Sequence, residues 1–175
     1  MSYSDKIRLL RNQAKREEIT VLIWGPGDPG PTGDIERQKY WTKRVQIKEV
    51  LQREFPNAEI AFSEDRELRE LTAGLEDLLV EELVHAAVAD CILVLDVSRG
   101  AHVEVDRLTA YPLVAQKIRL LLPERFVGTT GLVSVIHQGV RVSGYTDADF
   151  EACRLATKQC VDIVLSIAID KRLRS

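Results

Sequence analysis

The chain has 175 residues, which at roughly 150 per domain argues for one domain. Its 24 basic and 27 acidic side chains leave a formal net charge of −3, and 45% of residues are hydrophobic, enough for a sizeable core. This apolar content excludes a disordered chain, the charge argues against a general nucleic-acid coat, and no apolar run approaches the ~20 residues that span a bilayer. The N-terminus lacks an uninterrupted apolar core of the secretory kind. Three cysteines (Cys91, Cys153, Cys160), with no CxxC, argue against a disulfide framework or a zinc site. A cytoplasmic protein without metal or cofactor is the expectation.

Residues 4–17 read as a charged amphipathic helix with Ile7, Leu10 and Ala14 on one stripe. Residues 1–18 are therefore set apart as an N-terminal helical extension to a domain over 19–175. A β-branched strand over 19–24 stops in GPGDPGPTGD (25–34), which can continue neither helix nor strand. A helix is expected from 35 to 55, ended by Pro56-Asn57, and a second strand over 58–62. Residues 64–88 read as an acidic helix with a weak point at Gly74. CILVLDV (91–97) is continuous and apolar, hence a strand buried on both faces. A helix over 101–115, strands over 118–123 and 131–137, and a last helix over 147–173 complete the order.

Strands alternating with helices imply βαβ crossovers. The expected fold is α/β: a flavodoxin-like or Rossmann-like three-layer sandwich around a five-stranded, mostly parallel sheet. Such sheets bind ligands at the carboxyl ends of their strands, near the topological switch point. That rule selects the loops after Trp24, after Val97 and after Ile136.

In the first loop, Gly25 and Gly27 would let backbone N–H groups approach a ligand, and a helix N-terminus follows. The spacing matches neither a dinucleotide fingerprint nor a P-loop, and a long surface turn explains the composition equally well. The second loop, LDVSRGAHVEVDRL, sets Asp96, Ser98, Arg99 and Gly100 at the end of the central strand. Glu104 follows about one turn into the next helix. Amides there can hold an anion, although a glutamate near a helix start also serves simply to complement the dipole. In the preceding helix Glu82 falls on the Leu75–Leu79–Ala86 face, where an acid is costly unless bonded or required. Glu82 and Glu104 could converge on one pocket.

Several other residues have simpler readings. Arg37 is a solvated helix charge before it is a phosphate ligand. His137 is as much a cap as a ligand, and Tyr40-Trp41 are packing groups before they are a base-stacking wall. Cys153 and Cys160, seven apart, read as small core residues of one helix face. Tyr145 precedes Thr-Asp-Ala-Asp, a helix N-cap signal.

The segment VADCILVLDVSRGAHVEVDRL resembles the nucleoside 2-deoxyribosyltransferase-like family, including its deoxynucleoside 5′-monophosphate glycosidase branch. The shared elements are the Ala89-Asp90 pair, the buried strand Cys91–Val97, and Ser98-Arg99-Gly100-Ala101-His102-Val103-Glu104. The resemblance implies that Glu104 is a nucleophile toward the anomeric carbon. It also places a family acid on Glu82 and aligns the sugar- or phosphate-holding loop loosely with Gly25 and Gly27. It departs from the family where His102 replaces a common glycine and Glu82 the usual aspartate, and its first loop is longer and richer in proline.

On this reading, Glu82 or His102 protonates the leaving base, and water or a second base resolves the glycosyl-enzyme. Ser98 at the motif's first position goes with monophosphate substrates in the family, so the expected partner is a nucleoside or nucleotide and not a nucleic-acid polymer or a membrane. The family's habit of pairing protomers implies a homodimer. Two other readings compete. One is a TIR-like hydrolase that cleaves NAD, although Ala101-His102-Val103-Glu104 does not match the usual setting of that glutamate. The other is a non-catalytic nucleotide-sensing or assembly module, favoured by His102 beside Glu104.

Overall fold

The strands that end up central in the sheet are rich in Val, Ile and Leu and almost wholly buried. The computed structural model describes residues 1–75, 77–95, 105, 107–127 and 139–174. Its strands are β1 (Thr20–Trp24), β2 (Glu59–Phe62), β3 (Cys91–Leu95), β4 (Ile118–Pro123) and β5 (Arg141–Tyr145). They form one five-stranded sheet in the order β2-β1-β3-β4-β5, and every pairing is parallel. The fold is α/β and flavodoxin-like or Rossmann-like, with an all-parallel sheet where a mostly parallel one was expected.

The period-2 alternation of β1 divides the core. Val21 and Ile23 face a first cluster with Ile47 and Leu51 of helix α2 (Ile35–Glu54), and Val164 and Ala168 of the C-terminal helix. Leu22 and Trp24 face a second cluster with Ala86 and with Val105, Leu108 and Val114. β3 lies between both layers, and all five of its residues are buried. This explains why its sequence is continuous rather than alternating.

Helix α1 (Tyr3–Ala14) starts with a capping box: the Ser2 hydroxyl accepts from the Asp5 amide while Asp5 accepts from the Ser2 amide. Its last residue, Ala14, is buried in the first cluster. Lys15 pairs with Glu54 at 2.5 Å, and Arg172 with Glu17 at 2.5 Å.

Two expected helices are corrected. The helix expected over 64–88 is two, α3 (Arg66–Leu71) and α4 (Leu78–Val88), separated at Gly74, whose φ of +110° suits a residue without Cβ. Asp77 then caps α4 by accepting from the Leu79 amide, so Leu75 lies outside the helix and is 43% exposed rather than on the core face. The helix expected over 101–115 is helical at 105 and 107–109, turns at Ala110–Tyr111, and resumes as α5 (Pro112–Ala115), because Pro112 supplies no amide to continue the ladder.

The last helix is interrupted as well. α6 (Asp147–Glu151) begins at a Thr146–Asp149 capping box and ends before Cys153, whose φ is +59°. A π-helical stretch (Leu155–Cys160) and α7 (Val161–Arg174) follow. Cys153 is thus a bend residue, partly exposed, while Cys160 is fully buried.

The strand expected over 131–137 lies outside the described residues, as does His137. The fifth strand of the sheet is Arg141–Tyr145, for which the sequence gives no expectation of a strand. It is an edge strand whose first four residues are exposed or half-buried, so it carries little apolar signal.

Candidate active site at the carboxyl edge of the sheet

The chain leaves β1 for β2 on one side of the sheet and later enters β3 on the other, so the β1 and β3 exits adjoin at the switch point. Gly25 stands at that junction with φ +149°; a Cβ there would lie 2.7 Å from the Leu95 carbonyl oxygen and 3.1 Å from Arg44 Cδ. The approach is to backbone, which cannot rotate away, so the position is closed to a side chain. Gly27 is less constrained, because its Cβ would meet only Glu64 Oε1 at 3.7 Å. Further along the loop, Asp28 Oδ1 accepts from the Gly30 amide at 2.8 Å, and Asp34 caps α2.

What fixes this loop is a residue that the sequence reading did not single out. Arg44 is fully buried, and its guanidinium donates to three main-chain carbonyls: Ile23 (2.7 Å), Gly25 (3.0 Å) and Pro26 (2.8 Å). It also donates to both carboxylate oxygens of Glu64, at 2.6 and 2.9 Å. Its Cζ lies 4.6 Å from the Phe62 ring centroid and 5.4 Å from that of Trp41. Arg44 thereby ties the exit of β1 to the exit of β2.

Burial opposes ionisation of Glu64, but the Arg44 hydrogen bonds and charge outweigh it and hold the carboxyl below its ordinary range. Beside it Lys48 pairs with Asp65 at 2.7 Å, and Asp65 accepts from the Phe62 amide. Arg44 was legible in principle. Tyr40, Arg44, Ile47 and Leu51 are spaced four, three and four apart, so the arginine stands in an apolar stripe.

Of the residues expected to carry chemistry, Asp96, Ser98, Arg99, Gly100, His102 and Glu104 lie outside the described residues. β3 is described to Leu95, three residues before Ser98. Glu82 is half-buried on α4 and engaged in an interaction there; the neighbouring Leu79, Leu83 and Ala86 belong to the second cluster. Asp90, part of the quoted family pattern, sits at the opposite, amino edge. Its carboxylate accepts from the Thr20 amide at 3.0 Å and from Lys171 at 2.9 Å, which is a structural task.

Tyr40 and Trp41 are packing groups: Tyr40 meets Phe150 edge-on at 5.1 Å and Trp41 lies 5.1 Å from Phe62. Arg37 is exposed. His85, buried, joins α4 to the end of α3 through the Leu68 carbonyl (3.1 Å) and Thr72 (3.4 Å).

A cavity of about 1000 Å³ lies beside this edge, between residues 28–33, α2 and Phe150–Cys153. None of Gly25, Gly27 or Glu82 lines it. Among the described residues no group of three or more His, Cys, Asp or Glu could hold a metal ion, and no helix is long and apolar enough to cross a membrane. No protein-family model matches the chain, and no curated protein matches it significantly.

Proposed function

We propose that the chain is an N-glycosidase or N-glycosyltransferase that acts on the base–sugar bond of a nucleoside or nucleoside 5′-monophosphate, with Glu104 as nucleophile. The observation that carries this reading is the strand order. In a β2-β1-β3-β4-β5 parallel sheet the β1 and β3 exits adjoin, and the Ser98–Glu104 motif begins three residues beyond β3. Gly25, held against the end of β3 and clamped by Arg44, belongs to the other wall of that junction.

In the proposed reaction the Glu104 carboxylate attacks the anomeric carbon through an oxocarbenium-like transition state. The C–N bond breaks, and the base departs with a proton from Glu82 or His102. Water then adds its oxygen to the anomeric carbon and releases Glu104, or a second base does so in a transferase. Ser98, the amides of Arg99 and Gly100, and the Gly25–Gly27 loop take the phosphate, and Asp96 contacts the sugar side of the ligand. The working protein on this reading is a cytoplasmic homodimer that needs no metal or cofactor.

The test is incubation with deoxynucleoside monophosphates, nucleosides and NAD, followed by chromatography for free base or nicotinamide. Base release from the nucleosides or monophosphates is expected. Nicotinamide release from NAD alone would favour the TIR-like reading instead. Measurable nucleotide binding without any product would overturn both enzymatic readings.

A further inference from the structure

Helix α4 turns apolar side chains to solvent as well as to the core. Leu79, Leu83 and Ala86 pack into the second cluster, and His85 bonds to the Leu68 carbonyl of α3. Every exposed residue of α4 is apolar too: Leu78, Val80, Val84, Ala87 and Val88. Its two acids, Glu81 and Glu82, are half-buried. A surface helix ordinarily carries polar residues on its solvent face, and one that is apolar on both faces is ordinarily covered on both.

The patch continues onto the next helix. α4 packs against α5, and Lys117 Nζ, just beyond α5, donates to the Ala87 carbonyl at 2.6 Å. Val80, Val84, Val88, Leu113 and Tyr111, the N-cap of α5, are between 41% and 78% exposed. Together with Ala87 they present on the order of 500 Å² of apolar surface. That equals the apolar share, about 65%, of the ~800 Å² that each partner buries in a standard homodimer interface.

The patch is also self-complementary. Val80, Val84 and Val88 are spaced four apart, and such ridges fit each other's grooves when two helices cross at about −50°. A two-fold axis through Val84 sets Val80 beside Val88 of the second copy. At such an axis a charge would meet itself, and this ridge carries none. The charges of the same elements have both signs, Glu81 on α4 and Arg107 in the helical turn before α5, as a self-paired rim requires.

We propose that the α4 valine ridge, with Tyr111 and Leu113, is the face at which two copies of the chain pair about a two-fold axis through Val84. It gives the homodimer of the proposed function its surface and draws on none of the glycosidase chemistry.

Sedimentation velocity on the full chain at about 10 μM reads the mass. Wild type is expected at twice the 19.7 kDa of one chain. Val84→Asp and Val88→Asp each raise the dissociation constant roughly a hundredfold or more, and sediment as monomers with the wild-type circular dichroism. Leu173→Asp, at an exposed apolar residue of α7, leaves the dimer intact. Should Val84→Asp fail to fold, Val84→Cys replaces it. Under copper–phenanthroline it forms a covalent dimer on a non-reducing gel faster than wild type does. Wild type that stays monomeric at about 100 μM would overturn both the face and the homodimer. A dimer that persists in folded Val84→Asp and Val88→Asp, one lost equally in folded Leu173→Asp, or a Val84→Cys that cross-links no faster than wild type would overturn the face alone.

Discussion

Arg44→Met isolates the clamp at the carboxyl edge, because methionine retains an unbranched stem against Phe62 and Trp41 while the guanidinium is lost. Three carbonyls, Ile23, Gly25 and Pro26, lose a charged donor, at about 1 kcal/mol each after water is allowed to reach part of the loop. Glu64 loses two hydrogen bonds, but its side chain is 30% exposed, so re-solvation limits that contribution to about 1 kcal/mol. Against this stands the relief of the guanidinium's own desolvation, which in some buried pairs outweighs everything lost.

Nη1 and Nη2 make five hydrogen bonds at good length while the buried Nε has no partner, and the bonds are expected to win by about 2–3 kcal/mol. For a chain of this size that lowers Tm by roughly 4–12 °C. Thermal and urea unfolding followed by circular dichroism read the change, and a double-mutant cycle with Glu64→Gln separates the ion pair from the carbonyl contacts. An Arg44→Met protein as stable as wild type, or more stable, would refute the reasoning. Burial of the guanidinium would then cost more than its five hydrogen bonds return.

Gly25→Ala is expected to destabilise by about 2–4 kcal/mol, since the new Cβ meets the Leu95 carbonyl at 2.7 Å in a conformation that L residues avoid; a urea midpoint within error of wild type would contradict this. Glu64→Gln tests the sign of the ion pair's pH dependence. The carboxyl is held below its ordinary value of 4.5 in the fold, so its contribution is complete above that pH and disappears as pH falls through the lower folded value. The stability gap between wild type and Glu64→Gln is therefore widest near neutrality and closes in acid, which unfolding curves at several pH values check directly.

Four of the five strands were legible: β1, β3 and β4 are β-branched or leucine-rich runs, β2 is a short apolar stretch between Pro56-Asn57 and an acidic cluster, and the parallel class followed from the helices between them. β5 carries little sequence signal because Arg141–Tyr145 is an edge strand with four of its five residues exposed or half-buried. The breaks at Gly74 and Cys153 escaped for a different reason. Both occur inside strongly helical composition, and a positive φ at cysteine has no signature in composition. At the site, Gly25 was legible from glycine density at a strand end. Lysine and arginine on a helix are ordinarily solvated, so Lys43 carries no sequence signal of burial and Arg44 only its place in the apolar stripe of α2. Here the neighbouring carbonyls, the Phe62 and Phe150 rings and Glu64 replace the water.

Glu104→Gln is the most direct test of the proposed chemistry, because glutamine keeps the shape of the side chain but cannot form the glycosyl ester. Base release is measured by chromatography on wild type and variant side by side, with folding of both verified by circular dichroism. Wild type is expected to release base, and the variant to lose roughly a thousandfold or more of that rate with nucleotide binding retained. Release at an undiminished rate by Glu104→Gln would contradict it.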